Sequence, residues 1–177
     1  PGFSRINFSK HKATMGGGMA VQANIAKEWQ AKTGRPLAQG YGLTEASPIV
    51  SATPLDMFKF NGSVGLPLPS TEVIICDEAG TAMNLGKVGE IHIRGPQVMS
   101  GYWKNPKATT DILSNEGWLK TGDIGRIDEH GFLYNEDRKK DLILVSGFNV
   151  YPNEIEDVLF ESINHNENIL IVGANDH

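Results

Sequence analysis

Three separated stretches of this chain carry residue types that could together hold a nucleoside, a phosphate and a divalent cation. Gly40-Tyr41-Gly42-Leu43-Thr44-Glu45 offers an aromatic face, a hydroxyl and a carboxylate. An adenine ring gains from stacking on such a face, and Gly40 and Gly42 let the backbone come close to it. Thr44 can donate to a phosphate oxygen. Glu45 can meet magnesium, which takes oxygen ligands and accompanies phosphates. Thr121-Gly122-Asp123 supplies a carboxylate able to accept from both ribose hydroxyls. Asp137-Arg138-Lys139-Lys140-Asp141 supplies a guanidinium fork for ribose or phosphate. Each stretch also has a plainer reading: a surface loop with a tyrosine in a core, an aspartate in a β-turn, and a solvated charged turn.

The elements that must position these groups follow from periodicity and punctuation. Residues Met19 to Thr33 read as a helix, with Val21, Ile25 and Trp29 on one face and Gly34 as its stop. Gly16-Gly17-Gly18 before it reads as a loop with no side chain to block a ligand. Leu37 to Gly42 reads as a short strand, and the strand–helix–strand rhythm suggests the end of an α/β layered unit. From about Ser51 the texture changes. Val73–Cys76, Glu90–Arg94, Ile124–Asp128 and Phe132–Asn135 are short strand candidates, separated by turns at Asp77-Glu78-Ala79-Gly80 and Asp128-Glu129-His130-Gly131. They predict a small antiparallel, barrel-like sheet. The charge density at Asp137 suggests a domain border. Beyond it come a strand at Leu142–Val145, a glycine turn at Gly147, and a helix from Pro152 with Ile155, Val158 and Leu159 as its buried stripe. A last strand is expected at Ile169–Val172. The expected organisation is 1–51, the end of an α/β layered N-terminal subdomain; 52–137, a β-rich subdomain; and 138–177, a hinge and the start of an α+β C-terminal domain.

Composition sets bounds. The 177 residues have 40% hydrophobic and 21% charged side chains, as ordinary globular chains do. Net charge is −5 without a block of like charge, which argues against nucleic acid as a partner, since phosphate backbones demand a basic face. The single cysteine, Cys76, lies in the apolar run Val73-Ile74-Ile75-Cys76 and reads as a small core residue. One cysteine excludes a disulfide framework within the chain and suggests a reducing compartment. The five histidines lack metal-ligand spacing, and His11 and His92 are given no role. Trp29 and Trp103 are expected to pack. No apolar run is long enough to cross a bilayer, no secretory signal opens the chain, and both ends read as cuts through a longer protein.

In their order, these stretches resemble the adenylate-forming, AMP-binding enzymes: acyl-CoA synthetases, luciferases and peptide-synthetase adenylation domains. The run Asp137-Arg138-Lys139-Lys140-Asp141-Leu142-Ile143-Leu144-Val145-Ser146-Gly147-Phe148-Asn149-Val150-Tyr151-Pro152-Asn153-Glu154-Ile155-Glu156 carries most of the likeness. Within the superfamily it is most similar to bacterial long-chain fatty-acid–CoA ligases, and the likeness extends from about Gly16 to Gly173.

The resemblance implies ATP-dependent fatty-acid activation through acyl-AMP to acyl-CoA, with ATP/AMP, Mg2+ and CoA taking part. It assigns nucleotide contacts to Gly17, Gly18, Gly40, Tyr41, Gly42, Thr44, Asp123 and Arg138. It assigns catalysis to Thr44 and Glu45, with Glu45 on the metal, and places the hinge at Lys140. Gly147 falls on the loop lining the thiol's approach; Ser146-Gly147-Phe148 stands where many relatives have paired glycines. Two family features are absent: a Ser/Thr/Gly-rich phosphate loop ending in Pro-Lys-Gly, expected upstream, and a late catalytic lysine, expected downstream. The chain alone is therefore expected to be inactive. The implied location is cytoplasmic, with peripheral contact at the inner membrane compatible with it; oligomeric state and acyl chain length have no signature. Two alternatives stay open: another acid–CoA or acyl-AMP ligase of the superfamily, and a non-catalytic nucleotide-binding module.

Overall fold

The computed structural model describes residues 5–18, 21–57, 59–145, 148–152, 155, 158 and 159. Two four-stranded sheets form the framework. In the first, β1 (Thr14–Gly17) lies parallel to β2 (Leu37–Gly42), and the helix α1 (Ala23–Thr33) crosses between them. The antiparallel strands β3 (Ile49–Ala52) and β4 (Leu66–Pro67) complete the order β1-β2-β3-β4. The second sheet is an antiparallel meander of β5 (Glu72–Cys76), β6 (Gly89–Arg94), β7 (Leu119–Ile127) and β8 (Leu133–Arg138), with the short helix α2 (Pro106–Ile112) between β6 and β7. A ribbon of β9 (Ile143–Val145) and β10 (Phe148–Val150) comes next.

Local chemistry accounts for the boundaries. Gly34 ends α1 at φ 70°, returning its N–H to the Gln30 carbonyl at 2.8 Å. Asn105 caps α2 by accepting from the Ala108 N–H, and Pro106 occupies its first turn. The Asp128 side chain takes the N–H groups of His130 and Phe132, closing the β7–β8 turn at Gly131.

One apolar cluster lies under both sheets. Val50 from the first and Ala46 from the turn before it meet Ile75, Ile91, Ile93, Leu119 and Leu133 from the second, with the Tyr41 ring among them. Backbone bonds also stitch the sheets together. Val64 donates to the Leu133 carbonyl and Leu133 donates to Gly65, both at 2.8 Å. Cys76 is buried, as its apolar run requires, and burial pushes its thiol pKa up.

Several expectations need correction. The β-rich part is antiparallel, but among the described residues it is an open sheet with β5 and β8 at its edges, not a barrel. Gly16 and Gly17 are not a loop; they sit in β1 opposite Gln39 and Gly40, and only Gly18 lies beyond the strand. The helix α1 turns Ala26 inward and leaves Ile25 exposed, because β2 is covered by the neighbouring stripe. Trp103 is 87% exposed with the Lys104 ammonium 5.7 Å from its ring, so it does not pack. Beyond β10, Pro152, Ile155, Val158 and Leu159 are helical, but Ile155 and Val158 are exposed. Met19, Ala20, Gly147 and the strand expected at 169–172 lie outside the described residues.

Gly65 adopts φ +96°, and a Cβ there would overlap the carbonyl carbon and oxygen of Ala52. Gly65→Ala should therefore lower stability by about 2–4 kcal/mol, read as the shift in a urea unfolding midpoint. A loss below about 0.5 kcal/mol would show that the two sheets are not held together through this crossing.

A convergent nucleotide-type site

Tyr41 lies near the end of β2, where Gly42 and Leu43 leave the sheet. A Cβ on Gly42 would strike the Pro48 carbonyl, so glycine is needed for the chain to fold back there. The Leu43 N–H then donates to that carbonyl at 2.8 Å, closing the loop around the short 3₁₀ turn Thr44–Ala46. Ala46 is fully buried and anchors the turn; Thr44 is exposed and Glu45 half-buried.

Asp123 comes from β7, in the strand directly after Gly122 and not in a β-turn. Gly122 takes φ +73°, and β7 and β8 slip register between Ile124 and Gly125. The slip leaves Asp123 opposite Arg138 across the ladder. The Tyr41 hydroxyl donates to Asp123 Oδ2 at 2.6 Å, joining residues 82 positions apart. The Arg138 Nε lies 3.7 Å from Asp123 Oδ1, with the carboxylate largely sheltered and the guanidinium exposed. The structure thus brings together Tyr41, Asp123 and Arg138, and the Glu45 charge raises the Asp123 pKa.

The sequence allows the Tyr41 ring either a stacking face or a place in the core, and the structure puts it in the core. The ring is 6% exposed within the apolar cluster, and its hydroxyl is the group aimed at the site. Burial, then the Asp123 carboxylate, hold the phenol far above its ordinary pKa, so it remains a donor. Burial is also the main influence on Asp123 and raises its pKa; the Tyr41 hydroxyl and Arg138 pull it down, while Glu45 and Glu90 push it up.

Gly40 pairs with Gly17 across β1 and β2, and a Cβ on Gly17 would come 3.1 Å from the Gly40 carbonyl oxygen. Gly18 comes next at φ +83° with open space around it. Lys140 is exposed in the turn after β8, which closes by the Asp141 N–H donating to Arg138 at 3.0 Å. Concavities lined by Ala26, Gln30, Leu37 and Thr53, and by Val73, Met83, Leu85 and Ile127, do not include Tyr41, Glu45, Asp123 or Arg138. Sequence reasoning missed Tyr102, whose hydroxyl donates to Glu45 Oε1 at 2.6 Å. Its only sequence signal is an aromatic residue beside Gly101, which is weak.

The sequence profile described as AMP-binding enzyme matches residues 3–103. A long-chain-fatty-acid–CoA ligase of Yersinia pestis is 55% identical over 157 residues, 89% of this chain and 28% of that protein. A protein of the same description from Haemophilus influenzae is 46% identical over 169 residues, 96% of this chain and 30% of its own. The chain thus spans under a third of the length of these curated relatives. Among solved structures, the amide bond synthetase McbA of Marinactinospora thermotolerans superposes with a TM-score of 0.85 at 37% identity, covering 93% of this chain and 34% of McbA. ATP-bound MatB from Rhodopseudomonas palustris gives 0.79 at 37% identity, covering 84% of this chain and 29% of MatB. Among the described residues, no helix is long and apolar enough to cross a membrane.

Removing the tyrosine hydroxyl leaves a sheltered carboxylate without its donor. Tyr41→Phe should cost about 1–3 kcal/mol in chemical denaturation, and a change under about 0.3 kcal/mol would make the bond inconsequential. Asp123→Asn keeps an acceptor for Tyr41 but removes the titration. A folded-state pKa above the unfolded one gives stability that is present below the unfolded pKa and lost as pH rises through the folded pKa. The variant should therefore gain on the parent in urea midpoints as pH rises through the raised folded-state titration of Asp123; a pH-independent difference would reverse the reading of burial at Asp123.

Proposed function

Because the chain belongs to the AMP-binding enzyme family, we propose that the protein it comes from activates a long-chain fatty acid with ATP. The acid's carboxylate attacks the α-phosphate, giving acyl-AMP and pyrophosphate, and the thiol of CoA then displaces AMP. The observation that carries this reading is the meeting of Tyr41, Asp123 and Arg138. The preference for long-chain acids rests on the run from Val145 to Glu156 and on the relatives' descriptions.

In this reading Asp123 accepts from the ribose hydroxyls. Tyr41 holds its carboxylate in place and Arg138 reaches over the sugar or phosphate with its exposed fork. Gly17, Gly18, Gly40 and Gly42 keep side chains out of the nucleotide's path, and Thr44 donates to a phosphate oxygen. Holding acid and nucleotide together removes the entropy of encounter.

Among the described residues no three His, Cys, Asp or Glu side chains form a metal cluster. The donor set instead fits a magnesium ion that arrives with phosphate oxygens and takes one protein carboxylate, and Glu45 is that ligand. When bound, the ion neutralises charge on the phosphate oxygens. The surrounding organisation is the end of an α/β layered N-terminal domain over 1–51, a β-rich subdomain over 52–137 and the start of a C-terminal domain over 138–177. Lys140 serves as the hinge, and the Gly147 loop lines the thiol's approach. The reaction and the single cysteine suit the cytoplasm.

Acid-dependent ATP–pyrophosphate exchange tests this reading. The full-length protein should exchange with palmitate, the 177-residue chain alone should not, and Asp123→Ala in the full-length protein should raise the KM for ATP by about 10–100-fold. Exchange that ignores a panel of fatty acids would exclude acid activation.

A further inference from the structure

We propose that Tyr102 is a positioning residue for Glu45, holding one carboxylate oxygen so that the other is presented to a nucleotide-borne cation. The inference rests on Glu45 as the ligand of that cation. Two bonds tie the 99–102 segment to residue 45. The Tyr102 hydroxyl donates to Glu45 Oε1 at 2.6 Å, in the range of charge-assisted O–H···O bonds. The Met99 N–H donates to the Glu45 backbone carbonyl at 2.8 Å. Side chain and main chain of the same residue are thus both fixed by one loop. Among the described residues no hydrogen bond reaches Glu45 Oε2.

The loop is itself anchored. The Tyr102 N–H donates to Thr109 Oγ1 at 2.9 Å, and that hydroxyl donates onward to the Asn105 carbonyl at 3.0 Å. Gly101 takes φ +145° so that the chain passes Thr109; a Cβ there would come 2.8 Å from Thr109 Cγ2. Leu113, at the end of α2, bridges to Leu119 of β7. The tyrosine therefore hangs from the strand that carries Asp123, while Glu45 belongs to the loop after β2.

A glutamate on a solvent-facing turn samples many rotamers, and fixing one costs free energy whenever a ligand needs it. A hydrogen bond made before the ligand arrives removes that cost from binding. A plain loop tether would predict a different result, because its removal would alter stability and leave ligand affinity alone.

The test uses the full-length protein and Mn2+ with α,β-methylene-ATP, with electron paramagnetic resonance of the bound ion as the readout. Tyr102→Phe should bind the Mn2+–nucleotide about 10-fold more weakly. It should raise the KM for Mg–ATP by a similar factor, and leave the fatty-acid KM and the thermal midpoint near those of the parent. Thr109→Val, which loosens the anchor without touching Glu45, should move the same affinity about 3-fold. Unchanged Mn2+–nucleotide affinity in Tyr102→Phe overturns the proposal. If that variant fails to fold, unchanged affinity in Thr109→Val does so. A parent protein that binds Mn2+–nucleotide but shows no acid-dependent exchange overturns the functional reading instead, while the affinity comparison still decides the role of Tyr102.

Discussion

The hydrogen bond from Tyr41 to Asp123 spans the two sheets, and the candidate site exists only where those sheets are held in register. Its 2.6 Å length fixes a point near the end of β2 against a point near the middle of β7. The tyrosine does two things at once. Its ring fills the shared core beside Val50, Ile91 and Leu133, a burial worth about 1.5–3 kcal/mol for a side chain of this size. Its hydroxyl, delivered to the rim of that core, keeps a sheltered carboxylate hydrogen-bonded. Without the ring's packing the hydroxyl would wander; without the hydroxyl the carboxylate would sit in a dry place with only a distant guanidinium, 3.7 Å away.

The β7–β8 register supplies the next constraint. Side chains alternate across a strand, so slipping the pairing by one residue would send Arg138 to the other face. The irregularity between Ile124 and Gly125 absorbs one residue while keeping Asp123 opposite Arg138. Gly125 makes this possible: a Cβ there would overlap the Tyr134 carbonyl oxygen and crowd Ile91. The bulge next to a cluster of functional groups is thus built from a glycine that tolerates close backbone, and the core residue Ile91 packs where a side chain would have been.

The types of the site residues could be read from the residues themselves, and their meeting only through the family resemblance. Tyr41, Asp123 and Arg138 stand out because each carries a chemical group at a spot flanked by glycine or charge, and Glu45 because it follows Thr44 in the same short stretch as Tyr41. Nothing in the intervening residues says that β2 and β7 share a core; that depends on Val64 and Gly65 pairing with Leu133, a contact without local signature. The strand Thr14–Gly17 was hidden because glycines carry no alternation pattern, although their lack of side chains is what lets β1 lie against Gly40. In α1 the periodicity of Val21, Ile25 and Trp29 was real, but burial chose the stripe through Ala26, since a small residue allows the helix closer to β2. Tyr102 escaped because a tyrosine beside a glycine announces nothing until its hydroxyl is seen on a carboxylate.

The turn after β8 is tied to the second sheet up to Lys139. Lys139 is tied twice to the second sheet, by its N–H to the Gly122 carbonyl at 2.9 Å and by its ammonium to Glu90 at 2.8 Å. Glu90 also accepts from the Gly122 N–H at 3.3 Å, so the glycine beside Asp123 is held from both sides. Everything through Lys139 therefore belongs mechanically to the face that carries Asp123. Lys140 makes no such bond among the described residues, and beyond it only the Asp141 N–H returns to Arg138, at 3.0 Å. A rotation about Lys140 would have to break that single backbone bond, while Arg138 and Asp123 stayed paired across their ladder. The Lys139 ammonium is half-exposed while its Glu90 partner is sheltered. The described ties to the second sheet thus end at Lys139, immediately before the exposed lysine at which the proposed hinge lies.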